Sequence, residues 1–200
     1  GYKLPDHIED EIERLAFGSE LVPHMAIGES MGRAKRIEDA SGRYVVFLKS
    51  LFPKELDLSG LRLVVDCANG AGYKVAPLVF EELGAEVIRR AVQPNGTNIN
   101  SDCCALHPEG MASATLEYRA DMGIALDGDA DRCILSDEKG EIIDGDQILG
   151  LCALELKRQG RLGANTVVAT QMSNQGLEVM LQENGIRLVR APVGDRYVVE

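Results

Sequence analysis

Residues 127–132 read Asp-Gly-Asp-Ala-Asp-Arg, three carboxylates at alternate positions followed at once by an arginine. No other stretch of the chain restricts the backbone as much. In an extended strand, alternate residues share a face but lie about 6.6 Å apart per step. In a helix, residues two apart point to different sides. Neither regular element gathers three carboxylates around one small cation, whose oxygen ligands stand about 2.0–2.6 Å away. The backbone must curl, and Gly128 and Ala130 are spacers small enough to let it. Carboxylates held that close repel one another unless a cation joins them, so the segment reads as a loop for a hard metal ion.

Two other readings compete. As an EF-hand, the string places Asp127, Asp129 and Asp131 at positions 1, 3 and 5, Ile134 at 8 and Glu138 at 12. Position 6 then falls on Arg132, where the sharp turn wants glycine, and the flanks read as a strand and a hairpin rather than two helices. The other reading is a solvated acidic turn, against which stand the small spacers and the strand running straight in. Magnesium takes a few carboxylates plus phosphate and water. Arg132 beside a bound phosphate would help to neutralise its oxygens.

Composition narrows the partner. The formal net charge of −11 argues against nucleic acid or an anionic membrane. No apolar run approaches a membrane span, and Gly1-Tyr2-Lys3 begins no signal peptide. The five cysteines are odd in number and lack C-x-x-C spacing, which suits free thiols in a reducing compartment and gives a cytoplasmic expectation. Cys103 and Cys104 are adjacent and could form a redox pair; bridging neighbours demands strained geometry, so free thiols are expected.

The pattern of apolar residues predicts an α/β chain. Pro5 opens a first helix, with Ile8, Ile12 and Leu15 on one stripe and a stop at Gly18. Gly18 to Gly32 reads as a connecting loop, and Asp39 to Leu51 as a helix ending before Pro53. Leu61 to Val65 is a short continuous apolar run, as in a strand covered on both faces. A Gly-rich turn (Asp66 to Gly72), a helix to about Leu83 and a strand from Glu86 to Ala91 complete a βαβ unit. Gln93 to Pro108 is a long Asn-, Gly- and Pro-rich loop. A helix over 110–119 and a strand over 123–126 lead into the acidic loop. Residues 133–135 and 141–143 then pair as a hairpin. After a helix following Asp146, residues 166–170, 176–182 and 186–191 make a second βαβ unit. Its tail, Asn184 to Ala191, weakly repeats Leu83 to Ala91, as tandem related domains would.

Other candidate sites carry less. Asp66 to Gly72 is not G-x-G-x-x-G and lacks a P-loop lysine, so a tight strand-to-helix turn explains it as well as a phosphate cradle does. His107 reads as an exposed loop histidine, and His7 and His24 lack metal spacing. Asp195 reads as the opening of a helix carrying Tyr197 and Val198, with Arg196 a secondary candidate for a phosphate contact. No Ser-His-Asp arrangement is legible.

Taken together, these motifs resemble the α-D-phosphohexomutases, and among them the phosphoglucosamine mutase branch. The residues that carry the likeness are the acidic loop 127–132, the turn Asp66-Cys67-Ala68-Asn69-Gly70-Ala71, the loop Pro94-Asn95-Gly96-Thr97-Asn98-Ile99-Asn100 and Val193-Gly194-Asp195-Arg196-Tyr197-Val198. The resemblance runs in one order over essentially the whole chain. It implies tandem related α/β domains with mixed, largely parallel sheets. Residues 1–42 would be the tail of a first domain, 43–142 the second with the metal loop, and 143–200 the start of a third. It implies interconversion of glucosamine 6-phosphate and glucosamine 1-phosphate through a phosphoserine and a bisphosphate. Asp127, Asp129 and Asp131 would be Mg²⁺ ligands, with Arg132 near the phosphate. Cys104 and Ala130 stand where the family more often has glycine.

The phosphoserine is expected upstream of residue 1, and the sugar-specificity loop beyond residue 200. The expectation is therefore a piece of a longer enzyme that binds Mg²⁺ weakly and does not turn over alone. A phosphomannomutase or phosphoglucomutase, or a non-catalytic divalent-ion-binding module, remain as alternatives.

Overall fold

The computed structural model describes residues 4–199; Gly1 to Lys3 and Glu200 lie outside the described residues. The chain forms two compact units, one built from residues 38–161 and the other from residues up to 37 together with those from 162 onward. Helix α1 (Asp6–Phe17) starts after Pro5 and belongs to the smaller unit.

The larger unit opens with α2 (Ala40–Leu51) and continues as β1 (Arg62–Asp66), α3 (Val75–Glu82), β2 (Glu86–Arg90), α4 (Glu109–Glu117), β3 (Met122–Leu126), β4 (Cys133–Ser136), β5 (Ile142–Ile143) and α5 (Gly145–Arg158). Its five strands run in the order β2-β1-β3-β4-β5. β1 pairs parallel with β2 and β3, while β3–β4 and β4–β5 are antiparallel. The compact unit thus extends through α5 to residue 161.

The continuous apolar run of β1 has the expected cause. Leu63 and Val65 face one side with Ile124, Ala76 and Phe80, so α3 covers that face. Val64 faces the other with Met111 and Ala114 of α4 and with Ala125. Successive strand residues alternate between faces, and both faces are dry. On the α4 face Thr115 and Ser136, both fully buried, hydrogen-bond each other at 3.1 Å. Gly123 lies directly beneath them, where a Cβ would overlap Met111, Thr115 and Ser136.

Because β1 lies between β2 and β3, the chain leaving β1 turns to one side and the chain leaving β3 to the other. The carboxyl ends of these two strands therefore border a crevice, the place where open α/β sheets bind ligands. α5 is fixed at its start by a reciprocal cap: the Asp144 carboxylate accepts from the Gln147 N–H at 2.9 Å, and the Gln147 side chain accepts from the Asp144 N–H at 2.9 Å.

In the smaller unit, β6 (Thr166–Thr170) and β7 (Arg187–Ala191) pair in parallel around α6 (Gln175–Glu183), and α7 (Asp195–Val199) follows. Asn174 caps α6 by accepting from the Leu177 N–H at 2.9 Å. α7 begins at Asp195 as expected; the capping role of the Asp195 side chain lies outside the described residues. Among the described residues, no helix is long and apolar enough to cross a membrane.

Candidate metal centre

β3 delivers Asp127 to the sheet edge, and the chain then curls. Ala130 takes up the left-handed conformation, φ +63°, and its N–H donates to the Asp127 carbonyl at 3.1 Å. The Asp127 N–H closes the loop on the Arg132 carbonyl at 3.3 Å. Asp127, Asp129 and Asp131 each offer a carboxylate oxygen, and these atoms all lie within 4.8 Å of one another. The curl expected of both small spacers is made by Ala130; Gly128 instead receives two distant segments of the chain.

The three carboxylates sit in different surroundings. Asp127 is buried, 1 % exposed. It accepts from the Arg132 backbone N–H at 3.1 Å and from Arg132 Nε at 2.8 Å. Burial works against its charge, but the Arg132 hydrogen bonds and positive charge outweigh it, and the Asp127 carboxyl is held below the usual carboxylate range. Asp129 and Asp131 are exposed. Partial desolvation, with the negative charges of Asp129 and Asp127, pushes the Asp131 carboxyl up. Arg132 Nε lies 3.6 Å from the Asp131 carboxylate as well. One guanidinium therefore faces three acids, and the loop carries an excess of negative charge. Three hard oxygen donors with such an excess suit a divalent cation.

Two distant segments close on this loop. The turn after β1 passes through Ala68 (φ +56°) and Asn69 (φ +49°). It then brings the Ala71 N–H to the Gly128 carbonyl at 2.7 Å. A Cβ on Gly70 would lie 2.7 Å from Gly128 Cα. From the other side the Asn-rich loop packs on the same glycine: a Cβ on Gly128 would lie 2.8 Å from Ile99 Cδ1 and 3.0 Å from Asn100 Nδ2. That loop is tied to the turn by the Asn100 N–H on the Ala68 carbonyl at 2.9 Å and the Gln93 N–H on Asn69 Oδ1 at 3.0 Å. Gly70 is thus required by the approach of backbone, whereas at Gly128 the crowding comes from the side chains of Ile99 and Asn100.

Arg132 stands in the loop, as expected, and its first partner is Asp127. Arg196 reaches the acidic side chains of α1: it pairs with Asp6, and its Nη2 lies 2.9 Å from Glu9. His107 is exposed. Cys67, Cys103 and Cys104 are buried free thiols, and Cys133 and Cys152 exposed ones. Cys104, like Ala130, has positive φ, +84°. Both positions at which the resemblance leads one to expect glycine therefore have backbone that favours it.

The chain is 58% identical over all its 200 residues to a curated phosphoglucosamine mutase of Citrifermentans bemidjiense. It is 59% identical over the same length to one from Geobacter sp. strain M21. It spans 44% of the length of each relative. Among solved structures, a phosphoglucomutase/phosphomannomutase family protein from Burkholderia thailandensis shares the fold, with a TM-score of 0.72 at 24% identity over 98% of this chain and 41% of that one. Residues 42–140 match the family described as phosphoglucomutase/phosphomannomutase, alpha/beta/alpha domain II, and residues 144–200 match its domain III. With most of its length accounted for by two consecutive domains of one family, the chain belongs to the phosphoglucomutase/phosphomannomutase family.

Proposed function

We propose that this chain is part of a phosphoglucosamine mutase, an isomerase-class phosphotransferase that interconverts glucosamine 6-phosphate and glucosamine 1-phosphate through a phosphoserine and a bisphosphate. The observation that carries the reading is the 55–59% identity over all 200 residues to curated proteins of that name. On this reading, residues 1–42 are the tail of a first domain, 43–142 the second and 143–200 the start of a third. The phosphoserine and the sugar-reading loop are supplied from outside these residues, so the chain by itself does not turn over.

Asp127, Asp129 and Asp131 would hold Mg²⁺. The donor set fits: three carboxylate oxygens within 4.8 Å of one another, with one arginine against three acids. When bound, the ion draws charge from a phosphate oxygen, which eases phosphoryl transfer. The chain's own residues do the positioning. Arg132 pins Asp127 through both its backbone and its Nε. Its side chain stays 60% exposed and can meet a phosphate with the rest of its planar fork. Arg196 is a secondary phosphate candidate; its acidic partners on α1 would have to yield it. The reading also takes the protein to be cytoplasmic.

The test is an assay of the complete enzyme carrying this chain on glucosamine 6-phosphate and on mannose 6-phosphate. Faster isomerisation of the glucosamine ester, lost on chelation, is the expected result. Preference for the mannose ester would favour a phosphomannomutase, and no isomerisation of either would refute the reading.

A further inference from the structure

Asn100 lies in the 93–108 loop, remote in sequence from the acidic string, yet its side-chain amide rests on Gly128. Its backbone is fixed by the hydrogen bond to the Ala68 carbonyl at 2.9 Å. Nδ2 then comes within 3.0 Å of where a Gly128 Cβ would stand. The other end of the amide is unpaired: Oδ1 is buried and accepts no hydrogen bond among the described residues. An acceptor left so is unfavourable, so the fold gains nothing from that end. The end beside Gly128 offers close packing rather than a hydrogen bond.

A simpler explanation starts from the backbone. Asn100 has φ +59°, and asparagine tolerates the left-handed region better than most residues. Backbone tolerance alone would be met as well by glycine, which carries no amide. The two explanations separate on that point.

We propose that Asn100 is a positioning residue for the acidic loop: its amide packs against Gly128 and limits the backbone there, and through it the relative placement of Asp127, Asp129 and Asp131. Gly128 is clamped between this amide with Ile99 on one side and Gly70 with the Ala71 N–H on the other. Opening either side lets the curl at Ala130 relax. Asn100 makes no hydrogen bond to the three carboxylates and acts through the glycine between two of them.

The experiment compares the chain with Asn100→Gly and Asn100→Asp by amide hydrogen exchange and by Mn²⁺ titration. Asn100→Gly keeps the left-handed backbone and removes the amide; Asn100→Asp keeps size and backbone tolerance but puts a carboxylate where Nδ2 stood. The expected result is exchange at least about tenfold faster at the Ala71, Ala130 and Arg132 amides, with Val64 and Ile124 in the strands unchanged. Mn²⁺ affinity should fall by about 10–100-fold, as when supporting groups of metal ligands are removed. Exchange and affinity at the wild-type level in Asn100→Gly would overturn the proposal, leaving the backbone explanation. Equal loosening of the strand amides would overturn it too, making Asn100 a residue of general stability. The affinity arm rests on the metal reading above and the exchange arm does not. Absence of Mn²⁺ binding by the wild type would defeat that reading while the amides still decide the role of Asn100.

Discussion

Gly70 and Gly128, 58 positions apart in sequence, meet backbone to backbone, with the Gly128 Cα only 2.7 Å from where a Gly70 Cβ would stand. This contact seats the turn after β1 on the acidic loop after β3. Gly70→Ala must push one of the two loops away, since the obstacle is backbone that cannot rotate aside. Overpacking of this kind costs about 1–3 kcal/mol, to be read by urea unfolding. Gly42→Ala in α2, where a Cβ meets nothing within 4 Å, should instead raise stability by about 0.5–1 kcal/mol.

Ala130 makes the curl at a price in backbone strain, φ +63°. A left-handed L-residue costs about 1–2 kcal/mol, and glycine returns about 0.4–1 kcal/mol of that through its looser unfolded state. Ala130→Gly should therefore raise stability by up to about 1.5 kcal/mol. Ala130→Val, β-branched at the same φ, should lower it. Thermal unfolding of the two variants side by side checks the sign of each.

Much of this was legible in the sequence, for reasons that particular residues make plain. The run Leu63-Val64-Val65 announced a strand covered on both faces because each face has its own helix. Asp127 to Arg132 announced the curl because no regular element gathers three alternate carboxylates. The meeting of Gly70, Ile99 and Asn100 on Gly128 was not legible. Contacts between backbones of distant loops leave no periodic pattern, and their only trace is a glycine or an asparagine in a loop where such residues are common anyway. The partners of Arg196 were hidden likewise, since nothing in Asp6 or Glu9 distinguishes them from other acidic residues in the first turn of a helix.

Burial pushes the Cys67 thiol up to about 12, with the negative charge of Asp66 adding to it. Burial likewise raises Cys103 to about 11, again with Asp66 contributing. Each thiol holds its proton more tightly folded than unfolded, so its contribution is complete below the unfolded value and is lost as pH rises. Stability should fall from about pH 9 toward pH 12. Cys67→Ala should flatten that fall, as urea midpoints measured across the range will show.

Exposure also sorts the thiols by reactivity. Cys152 and Cys133 are exposed, whereas Cys67, Cys103 and Cys104 are buried. Although Cys133 is exposed as a residue, neighbouring atoms partly desolvate its thiol and hold it above the ordinary range, and a thiol reacts as its thiolate. Brief alkylation of the folded chain should label Cys152 first and leave Cys103 and Cys104 unmodified until denaturant is added, with peptide mass spectrometry as the readout.

Titration of Mg²⁺ into the chain tests the proposed metal site most directly, with Asp129→Asn/Asp131→Asn as the comparison. These two acids are exposed, so the double variant keeps the fold and relieves their mutual repulsion. Weak binding of one ion per chain is expected, with a rise in melting temperature on adding Mg²⁺ and loss of both in the double variant. No binding by the wild type, or binding left intact by the double variant, would contradict it.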